Sequence, residues 1–212
     1  MEVEFVRSTL AAQFSIAASV VPKNSPKDVL KYVKMVATRD GVFLFATDSE
    51  NGIRIKCNGI LSASPGECLL PVDRMTLILR ESTDETLKVS TLGDTIHVRG
   101  RKSKHKIQAV PPGEFPAFVE PSKDKTLQVT GADFCRITKR VHFAYDDETK
   151  IARFALKSVR IIFSDNKLSS FASDGRMIAT DSCECVTSHS NRDAFTLIQP
   201  TSLPMIWKAF AD

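Results

Sequence analysis

Carboxylates stand at three places in the 212-residue chain where they could hold a catalytic metal ion. Glu50 follows Asp48 closely, residues 146–148 read Asp-Asp-Glu, and Asp174 precedes a glycine. Metal-dependent nucleases hold their ions with such side chains. However, the chain has no glycine-rich phosphate loop and no nucleophile elbow, and its 4 histidines lack the spacing of metal ligands or of a catalytic triad. The sequence as a whole therefore argues against a nuclease.

Two of these aspartates end similar segments, which indicates an internal repeat. Residues 42–53 read VFLFATDSENGI and residues 168–180 read LSSFASDGRMIAT. Asp48 and Asp174 lie 126 residues apart (174 minus 48), and a period of this size predicts duplicated structure. We expect each aspartate to form a turn after a strand, with Gly175 supplying a positive φ. Equivalent positions of a repeat lie far apart, so the two carboxylates are not expected to share one site.

The 5 cysteines do not form a pattern that predicts disulfides. Cys183 and Cys185 have the spacing of residues on one face of a strand, but a structural zinc ion needs four ligands. We therefore interpret them as strand residues and expect no metal and no cofactor. The start of the chain, MEVEFVRSTL, lacks the basic region and apolar core of a signal peptide. The sequence therefore favours a cytoplasmic protein.

Alternating strands and amphipathic helices predict an α+β fold built from repeated β-α-β-β-β segments. The first repeat has a strand at 1–6, a helix at 7–21 and strands at 30–38, 42–47 and 52–61. The second has a strand at 67–70, a helix opened by Pro71 and strands at 87–90, 95–99 and 104–110, followed by a linker at 111–125. The third has a strand at 127–130, a helix at 131–144 and strands at 153–156, 159–164, 168–173 and 177–186. A strand at 195–198 and a helix at 201–212 then follow, with Pro200 at the place of Pro71.

The net charge of +4 permits a polyanionic partner without requiring one, so the positions of the cations matter. Basic side chains lie opposite the apolar faces of three predicted helices: Arg74 and Arg80, then Arg136, Lys139 and Arg140, then Lys208. An ordinary solvated helix face has the same appearance, so the spacing leaves both interpretations open. The basic run at 99–106 favours an edge strand protected from aggregation by its charges over a nucleic-acid patch.

Three segments, in their order and spacing, resemble the bacterial sliding clamp, the beta subunit of DNA polymerase III. They are LLPVDRMTLILRES at 69–82, VRGRKSKHKIQAVPPGEFPAF at 98–118 and FASDGRMIATDS at 171–182. The resemblance implies a DNA-clamp fold, with helices on one concave face and sheets outside. It also implies an N-terminal clamp domain at 1–120, made of two β-α-β-β-β halves, and a C-terminally incomplete central domain at 121–212, with the third domain absent.

The same resemblance implies a non-catalytic processivity factor that encircles duplex DNA and tethers the replicative polymerase. The implied partners are double-stranded DNA, the polymerase III catalytic subunit, the clamp loader, other clamp-motif proteins and, for the full-length protein, a second clamp subunit. The implied DNA-binding residues are Lys23, Lys27, Arg74, Arg80, Arg136, Lys139, Arg140, Lys150, Arg153 and Lys208. The implied partner-peptide pocket contains Leu156, Ser173, Gly175, Arg176, Met177 and Ile178, and the implied subunit interface contains His105 and Ile107.

The chain departs from the family pattern at three of these places. Asn24 stands where the family places a DNA-contacting arginine, Arg176 and Met177 stand where it commonly has histidine and then arginine, and His105 replaces an aromatic ring. A static DNA-binding module, with tight binding and a sequence preference, is the main alternative function. We also expect this chain alone not to close a ring, because the surface that would pair with residues 104–110 is missing.

Overall fold

The computed structural model describes residues 1–22, 24–118, 127–146, 154–187 and 194–210. The chain divides into two compact units, Met1–Val119 and Glu120–Asp212. Among the described residues, every helix is too short or too polar to cross a membrane.

The first half of unit 1 joins one helix to strands of two different sheets. Its elements are β1 (Glu2–Val6), α1 (Arg7–Ala18), β2 (Tyr32–Thr38), β3 (Gly41–Thr47), β4 (Gly52–Lys56) and β5 (Ile60–Ser64). Alternation in β1 buries Val3 and Phe5, and the helical spacing of α1 buries Leu10 and Phe14. The helix ends three residues before the predicted limit of 21, and a short 3-10 turn at Asp28–Lys31 leads into β2.

The single strand predicted at 52–61 is wrong, because the chain changes sheets within it. β4 pairs with β3, whereas β5 pairs with β1 in the other sheet. The transition requires a left-handed residue, and Gly59 supplies it with a φ of +69°. The Gly59 carbonyl accepts a hydrogen bond of 2.8 Å from the Val6 amide, which fixes the crossing against β1. The apolar pattern continues through this bend, so periodicity alone does not locate it.

The second half of unit 1 repeats the strand–helix–strand order. Its elements are β6 (Gly66–Pro71), α2 (Val72–Glu81), β7 (Thr86–Leu92), β8 (Thr95–Arg99) and β9 (Lys104–Gln108). Together the two halves form one sheet of order β5-β1-β7-β8-β9 and another of order β4-β3-β2-β6, and α1 contacts α2. β9 lies at the edge of its sheet, as the basic run at 99–106 predicted.

The first residues of the predicted linker pack on unit 1. A 3-10 turn at Pro112–Glu114 is followed by Phe115, which is buried. The ring of Phe118 meets Phe45 edge-on, with 5.3 Å between ring centroids. A Cβ at Gly52 would come within 2.7 Å of Phe118, so this glycine provides the space for the ring. The rest of the predicted linker, from 119 to 125, lies outside the described residues.

Unit 2 repeats the strand connectivity of unit 1, and its described residues include two α-helices. Its elements are β10 (Leu127–Gln128), α3 (Gly131–Val141), β11 (Val159–Ser164), β12 (Lys167–Ser173), β13 (Ile178–Glu184), β14 (Val186–Thr187), β15 (Ala194–Ile198) and α4 (Leu203–Ala209). The sheet β13-β12-β11-β15 has the connectivity of β4-β3-β2-β6, and the pair β10-β14 has that of β1-β5. The core joins Ile137 and Val141 of α3 to Leu168 of β12 and Leu203 of α4.

Several predicted boundaries in unit 2 are wrong. The strand predicted at 153–156 is a turn over residues 154–157, in which the Lys157 amide donates to the Phe154 carbonyl at 3.2 Å; residue 153 lies outside the described residues. The helix predicted at 131–144 is α-helical only to Val141 and ends in a 3-10 turn. The strand predicted at 177–186 is interrupted at Cys185, whose amide donates to the Asn166 carbonyl at 2.9 Å. The helix predicted from 201 begins as a 3-10 turn at Pro200–Ser202, and α4 follows it.

Candidate nucleic-acid surface and partner pocket

The two aspartate turns have the same internal hydrogen bonds, in which each carboxylate accepts from backbone amides of its own turn. Asp174 Oδ1 accepts from the amides of Arg176 and Met177, both at 2.8 Å. Asp48 Oδ1 accepts from the amides of Glu50 and Asn51, at 2.9 and 2.6 Å. The Met177 and Arg176 amides hold the pKa of Asp174 below its ordinary value. Among the residues the structure describes, no group of three His, Cys, Asp or Glu side chains is placed to hold a metal ion.

The residues around these aspartates are also equivalent. Ser173 Oγ accepts from the Gly175 amide at 3.1 Å and donates to the Met177 carbonyl at 2.7 Å. In unit 1, Thr47 Oγ1 accepts from the Ser49 amide at 3.0 Å and donates to the Asn51 carbonyl at 2.7 Å. The left-handed position is Gly175, with φ +87°, in one turn and Ser49, with φ +84°, in the other. The structure therefore confirms the predicted repeat at this turn.

Helix α2 presents arginines on both flanks of its exposed face. Met75 and Leu79 are buried, whereas Arg74 and Arg80 are exposed. Arg74 faces a groove beside β9, and Arg80 faces a groove beside α1. Arg80 Nε lies 2.8 Å from the Glu81 carboxylate, and both side chains are more than half exposed. The sequence prediction did not include Glu81, which partly offsets the charge of Arg80.

Helix α3 places its three cations opposite Ile137 and Val141, as its spacing predicted. Arg136 is half-buried, whereas Lys139 and Arg140 are exposed. Thr130 caps the helix: its Oγ1 accepts from the Asp133 amide at 3.0 Å. The Arg136 guanidinium then reaches the Asp133 carboxylate at 3.2 Å. This i,i+3 pair is visible in the sequence.

The sequence prediction missed Asp181 of β13, which contacts two of these cations. Its carboxylate lies 2.7 Å from Arg136 and 3.4 Å from Arg140. Partial burial acts to raise the pKa of Asp181, but the Ser182 amide and the two guanidinium charges outweigh it and hold that pKa below its ordinary value. Only the packing of α3 on β13 brings these residues together, so sequence spacing gives no signal for the contact.

Helix α4 adds an aromatic contact beside the same cations. Lys139 Nζ lies 5.7 Å from the centre of the Trp207 ring, within the range of a cation–π interaction. The Trp207 indole donates to Thr138 Oγ1 at 2.8 Å, which fixes the ring against α3. Lys208, the last predicted DNA contact, is exposed on α4.

Of the remaining predicted DNA contacts, Lys27 lies in the part of the chain that the structure describes. Lys27 is exposed in the segment between α1 and β2, and its amide donates to Ser25 Oγ at 3.1 Å. Asn24, in the same segment, is exposed as well. Lys23, Lys150 and Arg153 lie outside the described residues.

The predicted pocket residues of unit 2 cluster around the turn of Asp174. Gly175 and Leu156 are neighbours, since a Cβ at Gly175 would lie 3.9 Å from Leu156 Cδ1. Met177 and Ile178 follow the turn and are 49% and 76% exposed as whole residues, which is unusual for large apolar residues. Ser173 is half-buried and Arg176 is exposed. The arrangement is an open apolar surface with a polar rim.

The predicted interface residues lie on the helix side of β9. His105 opposes Val98 and Ile107 opposes Ile96, and Val98 and Ile96 are fully buried. Ile107 is itself buried, whereas His105 is exposed and lines the groove of about 660 Å³ between β9 and α2.

Asp84, which follows α2, binds the turn between β8 and β9. Its carboxylate accepts from Ser103 Oγ at 2.8 Å and from the Lys102 amide at 3.1 Å. Arg7 Nε donates to the Asp84 carbonyl at 2.9 Å, which ties the same point to α1. The sequence prediction did not include Asp84. The one local signal is the glycine at position 100, because any Cβ there would collide with the Asp84 carboxylate.

Comparison with known proteins relates both units to one family. The profile of the DNA polymerase III beta subunit N-terminal domain matches residues 1–119. A curated beta sliding clamp from Pseudomonas putida is 22% identical over 187 residues, which is 88% of this chain and 50% of that protein. The chain therefore spans about half the length of the curated relatives it matches.

Solved structures show the same fold along the whole chain. The DNA polymerase sliding clamp from Bacillus subtilis superposes with a TM-score of 0.88 at 17% identity, over 100% of this chain and 57% of that one. The beta subunit from Thermotoga maritima superposes with a TM-score of 0.79 at 21% identity, over 99% of this chain and 56% of that one. The α+β clamp fold is thus established, while identities this low leave individual site residues to be argued from geometry.

Proposed function

Because this chain belongs to the DNA polymerase III beta subunit family, we propose that it acts as a sliding clamp, a processivity factor that holds the replicative polymerase on duplex DNA. The activity is tethering, without catalysis by the clamp itself. The proposed partners are duplex DNA, the polymerase III catalytic subunit, the clamp loader and other clamp-motif proteins, with a second clamp subunit for the full-length protein. The proposed location is the cytoplasm.

The observation that carries this proposal is the exposure of cations on helix faces that point away from the sheets. Arg74 and Arg80 extend from α2, and Lys139 and Arg140 extend from α3, while the opposite faces of both helices are buried. Long basic side chains spread along helix surfaces reach phosphates, which carry no sequence information. A surface of this kind supports sequence-independent contact, as sliding requires.

The turn around Asp174 supports a second part of the proposal, the capture of partner peptides. Met177, Ile178 and Leu156 offer apolar contacts, and Ser173, Gly175 and Arg176 form the rim. Apolar anchors with a few polar groups bind short peptides in one orientation. We propose that an apolar side chain of the partner packs beside Ile178.

The edge strand β9 supports the third part, a subunit interface. An edge strand offers unpaired backbone groups to a neighbouring strand. We propose that a strand of the second subunit pairs with β9, with His105 and Ile107 at the contact. The groove between β9 and α2 would receive side chains from that strand.

Binding of short duplexes at several salt concentrations tests the proposal for DNA. We expect micromolar or weaker affinity that falls with salt and is the same for two unrelated sequences, since each phosphate neutralised adds about 0.9 to the slope of log K against log salt. Replacing Lys139 and Arg140 by Gln should lower the slope by up to about 2.

The matched control replaces Arg39 and Lys56 by Gln. Both are exposed, at the β2–β3 turn and on β4, so the net charge changes equally without touching a helix. Equal losses in the two double variants would contradict the proposal. A strong sequence preference would favour the static DNA-binding module, and Mg²⁺-dependent cleavage abolished by Asp174→Ala would favour the nuclease.

A further inference from the structure

The Arg136 guanidinium is already engaged by groups of unit 2. One terminal nitrogen donates to the Asp181 carboxylate at 2.7 Å. The other donates to the Asp133 carboxylate at 3.2 Å and to the Ser182 carbonyl at 3.3 Å. A guanidinium binds carboxylate and phosphate with the same fork of donors, so these partners occupy the positions that a phosphate would take.

Asp181 is held in place for this role. Its side chain is 17% exposed, against 36% for Arg136 and 65% for Arg140. Its other oxygen accepts from the Ser182 amide at 2.8 Å, so the carboxylate is fixed to β13 independently of the arginines. The two guanidinium groups therefore meet a rigid anion, and the more exposed of them, Arg140, makes the longer contact.

We propose that Asp181 is an internal competitor for DNA phosphate, which limits how strongly the surface of α3 holds a duplex. This inference rests on the proposed function. For Arg136 or Arg140 to bind a phosphate fully, it must leave Asp181 or share its donors, and the lost ion pair offsets the new one. The result is a weakly held duplex that exchanges phosphates readily, which suits a protein that must move along DNA.

Replacing Asp181 by Asn tests the proposal on the full 212-residue chain. Asn is isosteric and keeps an acceptor for the Ser182 amide, but it removes the charge that holds the arginines. Exposed ion pairs are worth up to about 1 kcal/mol, so we expect the variant to bind a short duplex about two- to fivefold more tightly at low salt. The salt slope should rise by about 0.9 for each additional phosphate that the freed arginines neutralise.

The matched control is Asp165→Asn. Asp165 is exposed in the turn between β11 and β12 and has a φ of +51°, a conformation that Asn tolerates. The substitution changes the net charge equally, away from the α3 arginines. In a chain that also carries Arg136→Gln and Arg140→Gln, Asp181→Asn should lose its effect on affinity. An affinity for Asp181→Asn that is equal to the control or weaker than wild type would overturn the proposal.

Binding by wild type distinguishes this inference from the proposed function. If wild type does not bind the duplex at all, the DNA part of the proposed function fails, whereas wild-type binding without a stronger affinity in Asp181→Asn refutes only this inference. If Asp181→Asn does not fold, ¹⁵N signals of the Arg136 guanidinium in wild type are followed during duplex titration. The proposal requires those signals to shift as the contact with Asp181 is exchanged, and unchanged signals in the bound state overturn it.

Discussion

Replacing Gly175 by Ala isolates the cost of the left-handed backbone in the turn of unit 2. A Cβ at this position would make only ordinary contact, at 3.9 Å from Leu156, so no collision contributes. The φ of +87° costs an L-residue about 1–2 kcal/mol, while alanine restricts the unfolded chain and returns about 0.4–1 kcal/mol. We therefore expect a loss of about 1 kcal/mol in the free energy of unfolding, or roughly fivefold in the folding equilibrium.

Urea unfolding followed by tryptophan fluorescence measures this loss. Trp207 is the only tryptophan in the chain and belongs to unit 2, so its signal reports the unit that carries the substitution. That specificity matters, because a chain with two compact units need not unfold in one step. The equivalent change in unit 1, Ser49→Gly, relieves the same strain and should be neutral or stabilising by circular dichroism. An unchanged stability of Gly175→Ala would refute the reasoning from backbone conformation.

Two other predictions concern unit 2. Thr138→Val removes the buried acceptor of the Trp207 indole, so we expect the free energy of unfolding to fall by about 1 kcal/mol. Urea unfolding followed by Trp207 fluorescence measures this loss, and an unchanged midpoint would contradict the hydrogen bond. The folded-state pKa of Asp174 is lowered by the Met177 and Arg176 amides, so its contribution to stability is present above the ordinary pKa of 3.8 and is lost as pH falls through the folded value. Acid titrations of wild type and Asp174→Asn should therefore show a stability difference that is constant near neutral pH and shrinks below about pH 4, and a difference independent of pH would count against the assignment.

The sequence predicted the repeat because the repeat depends on local chemistry. Asp48 and Asp174 each stop a strand by binding their own backbone, and this requirement is visible in a few consecutive residues. The ends of β11 and β12 that the sequence predicts likewise agree with the structure to within one residue. Both strands alternate clearly, and the turn residues Asp165 and Asn166 separate them. Local rules of this kind operate within a few residues of the chain.

The errors arise where tertiary contacts decide. The division of the strand at 52–61 depends on β5 pairing with β1, about 60 residues earlier in the chain, and no periodicity records that pairing. Asp181 and Asp84 were missed for the same reason, because their partners are distant in sequence. The sequence identifies Arg136 as a basic helix residue, yet its carboxylate partner on β13 changes how much charge it presents. The Glu81 partner of Arg80 is its neighbour in sequence, so that omission has no tertiary cause.

Site-specific crosslinking to duplex DNA tests most directly whether the helix faces hold the duplex. Photoreactive residues would be placed at Arg74 and Lys139 on the helices, and at Lys56 and Thr180 on exposed strand positions. Lys56 opposes Phe43 and Thr180 opposes Phe171, on the sheet faces that point away from the buried cores. We expect crosslinks from the two helix positions, at low salt and for any sequence, and background levels from the two strand positions. Crosslinks from the strand positions with none from the helices would contradict a DNA-binding helix surface.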